Sequence, residues 1–397
     1  MNAGVGCVAP SRGSPWLPIW AGLCASLIGI GLARFAYTPL IPALIDAHWF
    51  SASAVVYLGA ANLAGYLLGA LGGRALAARW SSAGVLRAMM VLVTLSFFAC
   101  AVPVSVAWFF VWRLASGIAG GVIMVLAASA VLPHVAPHRR GLASGAIFLG
   151  VGLGIAGSGT LLPLLLAQGL LQTWVGLGLV ALLLTASSWF GWPAELPQVA
   201  AGKGVAGRSP GVYLLFAQYA LMAVGLVAPM MFLVDYVSRG LGADPHTGVL
   251  IWILYGVGAI VGPVAYGFLA DRFGARAAIR LVLVIQIVAL GMLVGSADMR
   301  VLGLAAVLIG SFPPGIVPLA LARVHQLVTD HPGQHATWSR ATVSFATFQA
   351  LAGYAYSALF SASEGHYAVL FMVAGAALLL ALALEVPALL RGLETTR

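Results

Sequence analysis

Two arginines, Arg34 and Arg113, are the only basic side chains set deep inside long apolar stretches of this chain. A cation at that depth costs about 3 kcal/mol or more unless it faces a cavity or a partner. A guanidinium grips a carboxylate through two parallel hydrogen bonds, so Arg34 reads as a candidate anion clamp. Tyr37, three residues on, shares its helix face. The competing reading is a structural arginine bound to backbone carbonyls or to Asp46. Arg113 lies nearer the end of its stretch, where it can either bind a ligand or snorkel to the interface. Asn62 and Tyr66 (spaced i, i+4), Gln218, Tyr219, Tyr255, Gln349 and Tyr356 are further candidates for lining a central cavity. Each of them serves equally well as an interhelical hydrogen bond.

The acids are as informative. Asp46, Asp235, Asp244, Asp298 and Glu364 map to the outer ends of apolar stretches or to the loops there, and no acid is read as lying deep within a stretch. Asp235 is the best remaining proton carrier, and a coupled proton is otherwise expected to travel with an anionic substrate held at Arg34. All eight histidines fall in loops or at segment ends, which argues against an intramembrane metal site. His325 to Asp330 fits an H-x4-D acyltransferase pattern, and His331 with His335 can be read as a metal pair. Both are expected in one short loop without a folded domain, and Pro332 and Gly333 break the register that would align the imidazoles. No cofactor, metal or catalytic residue is expected, and neither GxxxxGK[ST] nor a strand–helix GxGxxG occurs. Three cysteines, Cys7, Cys24 and Cys100, form no disulfide framework.

The elements that must position these groups follow from hydropathy. Of 397 residues 62% are apolar and 7% charged, with mean hydropathy +1.04. A soluble chain carries nearer 25% charged residues, so soluble and disordered classes are excluded. Twelve segments of the length a spanning helix needs run roughly 17–45, 53–73, 85–104, 106–132, 141–167, 170–191, 212–237, 247–270, 280–296, 301–322, 341–361 and 367–390. With the N-terminus inside, fifteen Lys and Arg fall in cytoplasmic segments against Arg239 and Arg300 outside, a positive-inside pattern. The net charge of +9 is therefore assigned to cytoplasmic loops and not to nucleic acid. Trp16, Trp49, Trp80, Trp108, Trp174 and Trp192 sit at segment ends, as an aromatic belt would. One Lys among 19 cations, with heavy Ala and Gly use, points to a GC-rich bacterial genome and hence to the inner membrane.

The stretch 193–211 divides the chain into six segments (1–192) and six segments (212–397). A shift of 193 residues lays LAARW at Leu76–Trp80 over LADRF at Leu269–Phe273. The same shift lays Gly65, Gly69 and Gly117 over Gly258, Gly262 and Gly310, and Asn62 over Tyr255. Such a repeat is the build of a secondary transporter, whose substrate sits between the halves.

The run Gly267-Phe-Leu-Ala-Asp271-Arg272-Phe-Gly274-Ala-Arg276 resembles the loop motif G-x-L-A-D-R-x-G-R-[RK] of the major facilitator superfamily. The first-half copy, Gly73 to Trp80, keeps Arg79 but has Ala78 where the motif has Asp. Arg113 to Gly120 is similar to the family's R-x-x-x-G-x-x-[GA] pattern. Gly29 to Pro42, with Asn62, Gly65, Tyr66 and Gly69, resembles the YbfB/YjiJ-like branch. The resemblance implies that Arg79, Gly267, Asp271, Arg272, Gly274 and Arg276 form a conformational gate, in which the carboxylate pairs with arginine and caps a helix. It also implies a role for Arg113 in coupling.

The expected fold is thus all-α: twelve transmembrane helices in two six-helix bundles, both termini cytoplasmic. The expected function is secondary active transport of a small solute, preferably an organic anion, by a monomer in the lipid bilayer. The rivals are an efflux pump for apolar or cationic compounds, favoured by Met222, Met230, Met231 and Phe232, and a membrane-embedded enzyme or a sensor that binds without translocating.

Overall fold

The computed structural model describes residues 16–136, 140–193 and 209–385. Every regular element among them is helical. The helices are α1 (Trp16–Asp46), α2 (Ala52–Arg79), α3 (Ser82–Ala99), α4 (Val106–His134), α5 (Arg140–Leu166) and α6 (Leu170–Ser188), then α7 (Pro210–Gly240), α8 (Pro245–Phe273), α9 (Ala275–Gly295), α10 (Met299–Leu327), α11 (His331–Ala362) and α12 (Tyr367–Ala383). Ten of these helices are long and apolar enough to cross a membrane. The other two are α11, rich in Ser, Thr and Gln, and α12, which is apolar but 17 residues long. Arg12, Arg139, Lys203, Arg208, Arg391, Arg397 and Cys7 lie outside the described residues.

Short caps fix where the helices begin. Ser51, Ser81, Ser105 and Ser209 each accept a backbone N–H of the helix they precede, as do Asp244, Asp298 and Asp330. Asp330, the acid of the H-x4-D pattern, is therefore the cap of α11. The expected loop around it shrinks to residues 328–330, with His325 inside α10. The side chains of His331 and His335 fall outside the described residues.

Two apolar cores result. One is built within residues 19–192 and centres on Trp174, which meets the rings of Tyr37, Phe97 and Phe109. The other is built mainly from α7 to α12 and reaches across to Ile30, Phe35, Val56, Ala60, Leu63, Val151 and Ile155. The aromatic belt is only partly seen. Trp16, Trp80 and Trp108 are exposed, whereas Trp174 and Trp192 are buried because their rings fill the first core.

The 193-residue repeat reappears in three dimensions. A Cβ on Gly65 would overlap the Leu114 carbonyl, and one on Gly258 the Val307 carbonyl. Gly69 meets Ile118 and Gly262 meets Ser311; Gly117 meets Asn62 and Gly310 meets Tyr255. Every one of these partners is also related by the same shift. Glycine here lets α2 lie against α4, and α8 against α10, at backbone distance, and such contact replaces the hydrophobic effect that lipid removes. Gly65→Ala and Gly258→Ala should each cost roughly 1–3 kcal/mol by overpacking. Gly145→Ala and Gly267→Ala, whose added methyl would meet nothing, should melt like the parent in a thermal denaturation series.

Candidate functional site

Arg34 lies in α1 within a π-helical stretch, Leu27–Phe35. Pro39 and Pro42 follow closely and have no N–H to offer the carbonyls of Phe35 and Thr38. Wide π turns of this kind are frequent at functional sites. Gly31 packs on Gly154 of α5, and Gly29 faces Gly120 and Ile123 of α4. The widened turn is thus wedged between two neighbours, and Arg34 is aimed at the boundary between residues 16–193 and 209–385.

There Arg34 donates from Nη1 to Oε1 of Gln349 on α11, 3.1 Å away, and its guanidinium stacks 4.1 Å over the ring of Tyr66. Its Nη2 is buried with no partner among the described residues. Arg113, 3% exposed, donates from Nη1 to the Ala33 carbonyl at 2.7 Å and lies 4.1 Å over the Tyr37 ring. Its Nε is likewise unpartnered. Tyr37 is itself fixed by its hydroxyl, which donates to the Val55 carbonyl at 2.7 Å. Each guanidinium therefore rests on a tyrosine face, and no carboxylate among the described residues is paired with either of them.

Both arginines line one small cavity with Tyr37, Thr38, Ile41, Gly59, Leu63, Met230 and Met231. It has free space for roughly one water molecule. The two stretches of chain are bonded from the level of Arg34 toward the end where α2 begins. Thr38 donates to the Met230 carbonyl (2.6 Å), Ser53 and Ser361 share a hydrogen bond (2.9 Å), and Ser357 donates to the Val56 carbonyl (3.5 Å). Trp252 Nε1 donates to Ser158 Oγ (2.9 Å), with Gly152, Gly159 and Gly256 letting α5 and α8 touch. At the opposite end Asp271, Arg272 and Arg79 are exposed and make no ion pair or hydrogen bond among the described residues.

Several expected site residues have other occupations. Asn62 bonds the Arg113 carbonyl and Ser116 Oγ, tying α2 to α4. Gln218 donates to Glu385 Oε1 and the Ala381 carbonyl, away from the arginine cavity. Tyr219 packs on Phe345, ring centroids 4.5 Å apart, beside a separate apolar cavity inside the second core. Tyr255 is stacked on Trp252 (4.7 Å), and the buried hydroxyls of Tyr255 and Tyr356 have no hydrogen-bond partner among the described residues. The gate expectation changes most. The carboxylate that pairs is not Asp271, which stays in solvent, but Glu385, 2% exposed and 2.6 Å from Arg276 Nε. Gly267 stands in open space and Gly274, at φ +81°, forms the α8–α9 corner.

The acids show one further correction and one refinement. Glu385 is buried within the last apolar segment, where the hydropathy pattern places no acid. Asp235 does lie near the end of its helix, which continues through a π turn to Gly240, but it is fully buried there. It accepts from the Tyr367 hydroxyl at 2.5 Å and lies 3.5 Å from Arg239 Nη1. Sequence reasoning missed Thr38 and Gly59 as lining residues, although Thr38 stands four residues after Arg34 on the same face.

A helical bundle of membrane-crossing length with a charged cavity between two halves fits the class of membrane transport proteins. The chain belongs to the family described as the uncharacterised MFS-type transporter YbfB, whose model matches residues 26–386. It is accordingly a multi-pass membrane transporter and not an enzyme. No curated protein matches it. Among solved structures, a D-xylose–proton symporter aligns with TM-score 0.73 at 15% identity, covering 93% of this chain and 96% of its own. The nucleoside transporter NupG, solved as a point mutant, aligns at 0.71 and 14%, covering 93% and 98%. The E. coli xylose transporter XylE, in a partially occluded inward-open conformation, aligns at 0.72 and 16%, covering 94% and 99%.

Melting separates the roles of the two arginines. Arg34 holds a charge in the interior with no acid beside it, so Arg34→Met should melt at or above the parent temperature. Arg113→Met strips the Ala33 carbonyl of its donor where water cannot replace it and should melt several degrees lower. Equal losses in both variants would make Arg34 structural.

Proposed function

We propose that the protein is a secondary active transporter that moves a small organic anion by alternating access. The observation that carries this reading is the pair of guanidinia facing one cavity between the two halves, with no carboxylate among the residues that line it. The two buried acids are already engaged elsewhere, Glu385 by Arg276 and Asp235 by Tyr367 and Arg239. Charge balance at the centre therefore falls to the transported solute. The apolar part of the lining, Ile41, Leu63, Met230 and Met231, suits the apolar body of a monocarboxylate.

In this reading 1–192 and 212–397 form two six-helix bundles joined by 193–211, and all twelve helices cross the bacterial inner membrane. Polar α11 is covered by its neighbours, and α12 is extended by the turn after Ala383. The excess of cations on one side supports a cytoplasmic position for both chain ends. The bonded end at Ser53 and Ser361 then faces outward, and Asp271, Arg272 and Arg79 face the cytoplasm, free to engage when that side closes. The transporter works as a monomer, and a proton accompanies the anion.

Reconstitution into proteoliposomes tests this. Saturable uptake of radiolabelled hydroxy-, keto- or aromatic monocarboxylates is expected, faster with acid outside and slowed by a protonophore. Arg34→Met should reduce it roughly a hundredfold, the worth of a lost bidentate charge-assisted pair. Uptake indifferent to the pH gradient would remove the proton. Export of lipophilic cations, unchanged in Arg34→Met, would replace the anion reading with efflux.

A further inference from the structure

Gln349 is the partner that Arg34 has in place of an acid. It sits on α11, 2% exposed, and reaches Arg34 from the other half of the molecule. Arginine carries only donors, so it is the amide oxygen of Gln349 that faces it. One neutral oxygen engages Nη1 alone, while Nη2 remains buried and unpartnered. The guanidinium fork, built for two parallel acceptors, is half filled.

We propose that Gln349 is an internal stand-in for the substrate's carboxylate, an inference that rests on the anion reading above. An arriving carboxylate takes Nη1 and Nη2 together and displaces the weaker, neutral amide oxygen. In the empty state the Arg34–Gln349 bond keeps an uncompensated cation from standing wholly bare and sets a threshold that only a charged acceptor passes. Gln349 is thereby a specificity-determining residue: neutral solutes offer nothing better than the amide already present.

The test uses full-length protein in detergent, its melting followed against a panel of monocarboxylates with glycerol and tetraphenylphosphonium as neutral and cationic probes. Gln349→Glu installs a permanent carboxylate of the same reach. It should melt at or above the parent and lose the carboxylate response, with apparent affinity weakened tenfold or more. Gln349→Met keeps the volume but removes the competitor, and should bind the same acid at least as tightly as the parent. A Gln349→Glu protein that answers the acid like the parent overturns the proposal. So does a Gln349→Met protein that loses the response as completely as Arg34→Met, since Gln349 would then be an obligatory ligand. A parent that answers no carboxylate overturns the anion reading itself, and this inference with it.

Discussion

A guanidinium held in a low-dielectric interior without an acid to neutralise it is the constraint around which this molecule is arranged. Such a charge is tolerated only where other groups soften its cost. Here the softening is done by aromatic faces, backbone carbonyls and one neutral amide. Tyr66 lies under Arg34 and Tyr37 under Arg113, while Ala33 and Gln349 supply the oxygens. None of these cancels the charge. A site left electrically incomplete in this way would gain from an anion what the empty protein forgoes, and the proposal that Arg34 binds one rests on that.

The rest of the packing serves to hold that incompleteness in place. Repeated glycines bring α2 to α4 and α8 to α10 at backbone contact, so each half is closely packed within itself. The halves themselves meet through hydroxyls, an indole and close-packed glycines, with the hydroxyl and indole hydrogen bonds named above lying between the level of Arg34 and the end where α2 begins. Bonds of this kind exchange easily, because each is a single neutral hydrogen bond worth about 1 kcal/mol. The strongest polar tie, Arg276 to Glu385, is internal to the second half and joins α9 to the end of α12. Rigid halves with a weakly bonded seam are the mechanical requirement for rocking about a central site.

Much of this was legible in the sequence. An all-helical chain with many membrane-length helices followed from apolar runs, ten of the helices being long and apolar enough to cross, and the repeat followed from six glycines and one loop motif. Its partners then proved to be related by the same shift. Arg34 could be singled out because a deep cation has so few innocent explanations. What sequence could not reveal was how each polar side chain is spent. Gln218 and Asn62 have the same character as Gln349, yet they bond Glu385 and the α4 backbone, because neighbouring helices arrive at angles that periodicity does not encode. Asp271 carries the recognisable motif, yet it stands exposed and makes no ion pair among the described residues. Glu385 hides in the last turn of an apolar run, where only the position of Arg276 gives it meaning.

The most direct test is an equilibrium titration of the purified protein with a radiolabelled monocarboxylate, read by scintillation proximity. Saturable binding of one anion per chain is predicted, displaced by other carboxylates, indifferent to tetraphenylphosphonium and abolished by Arg34→Met. Binding that survives in Arg34→Met, or that tetraphenylphosphonium displaces, would contradict an anion site at the arginine pair.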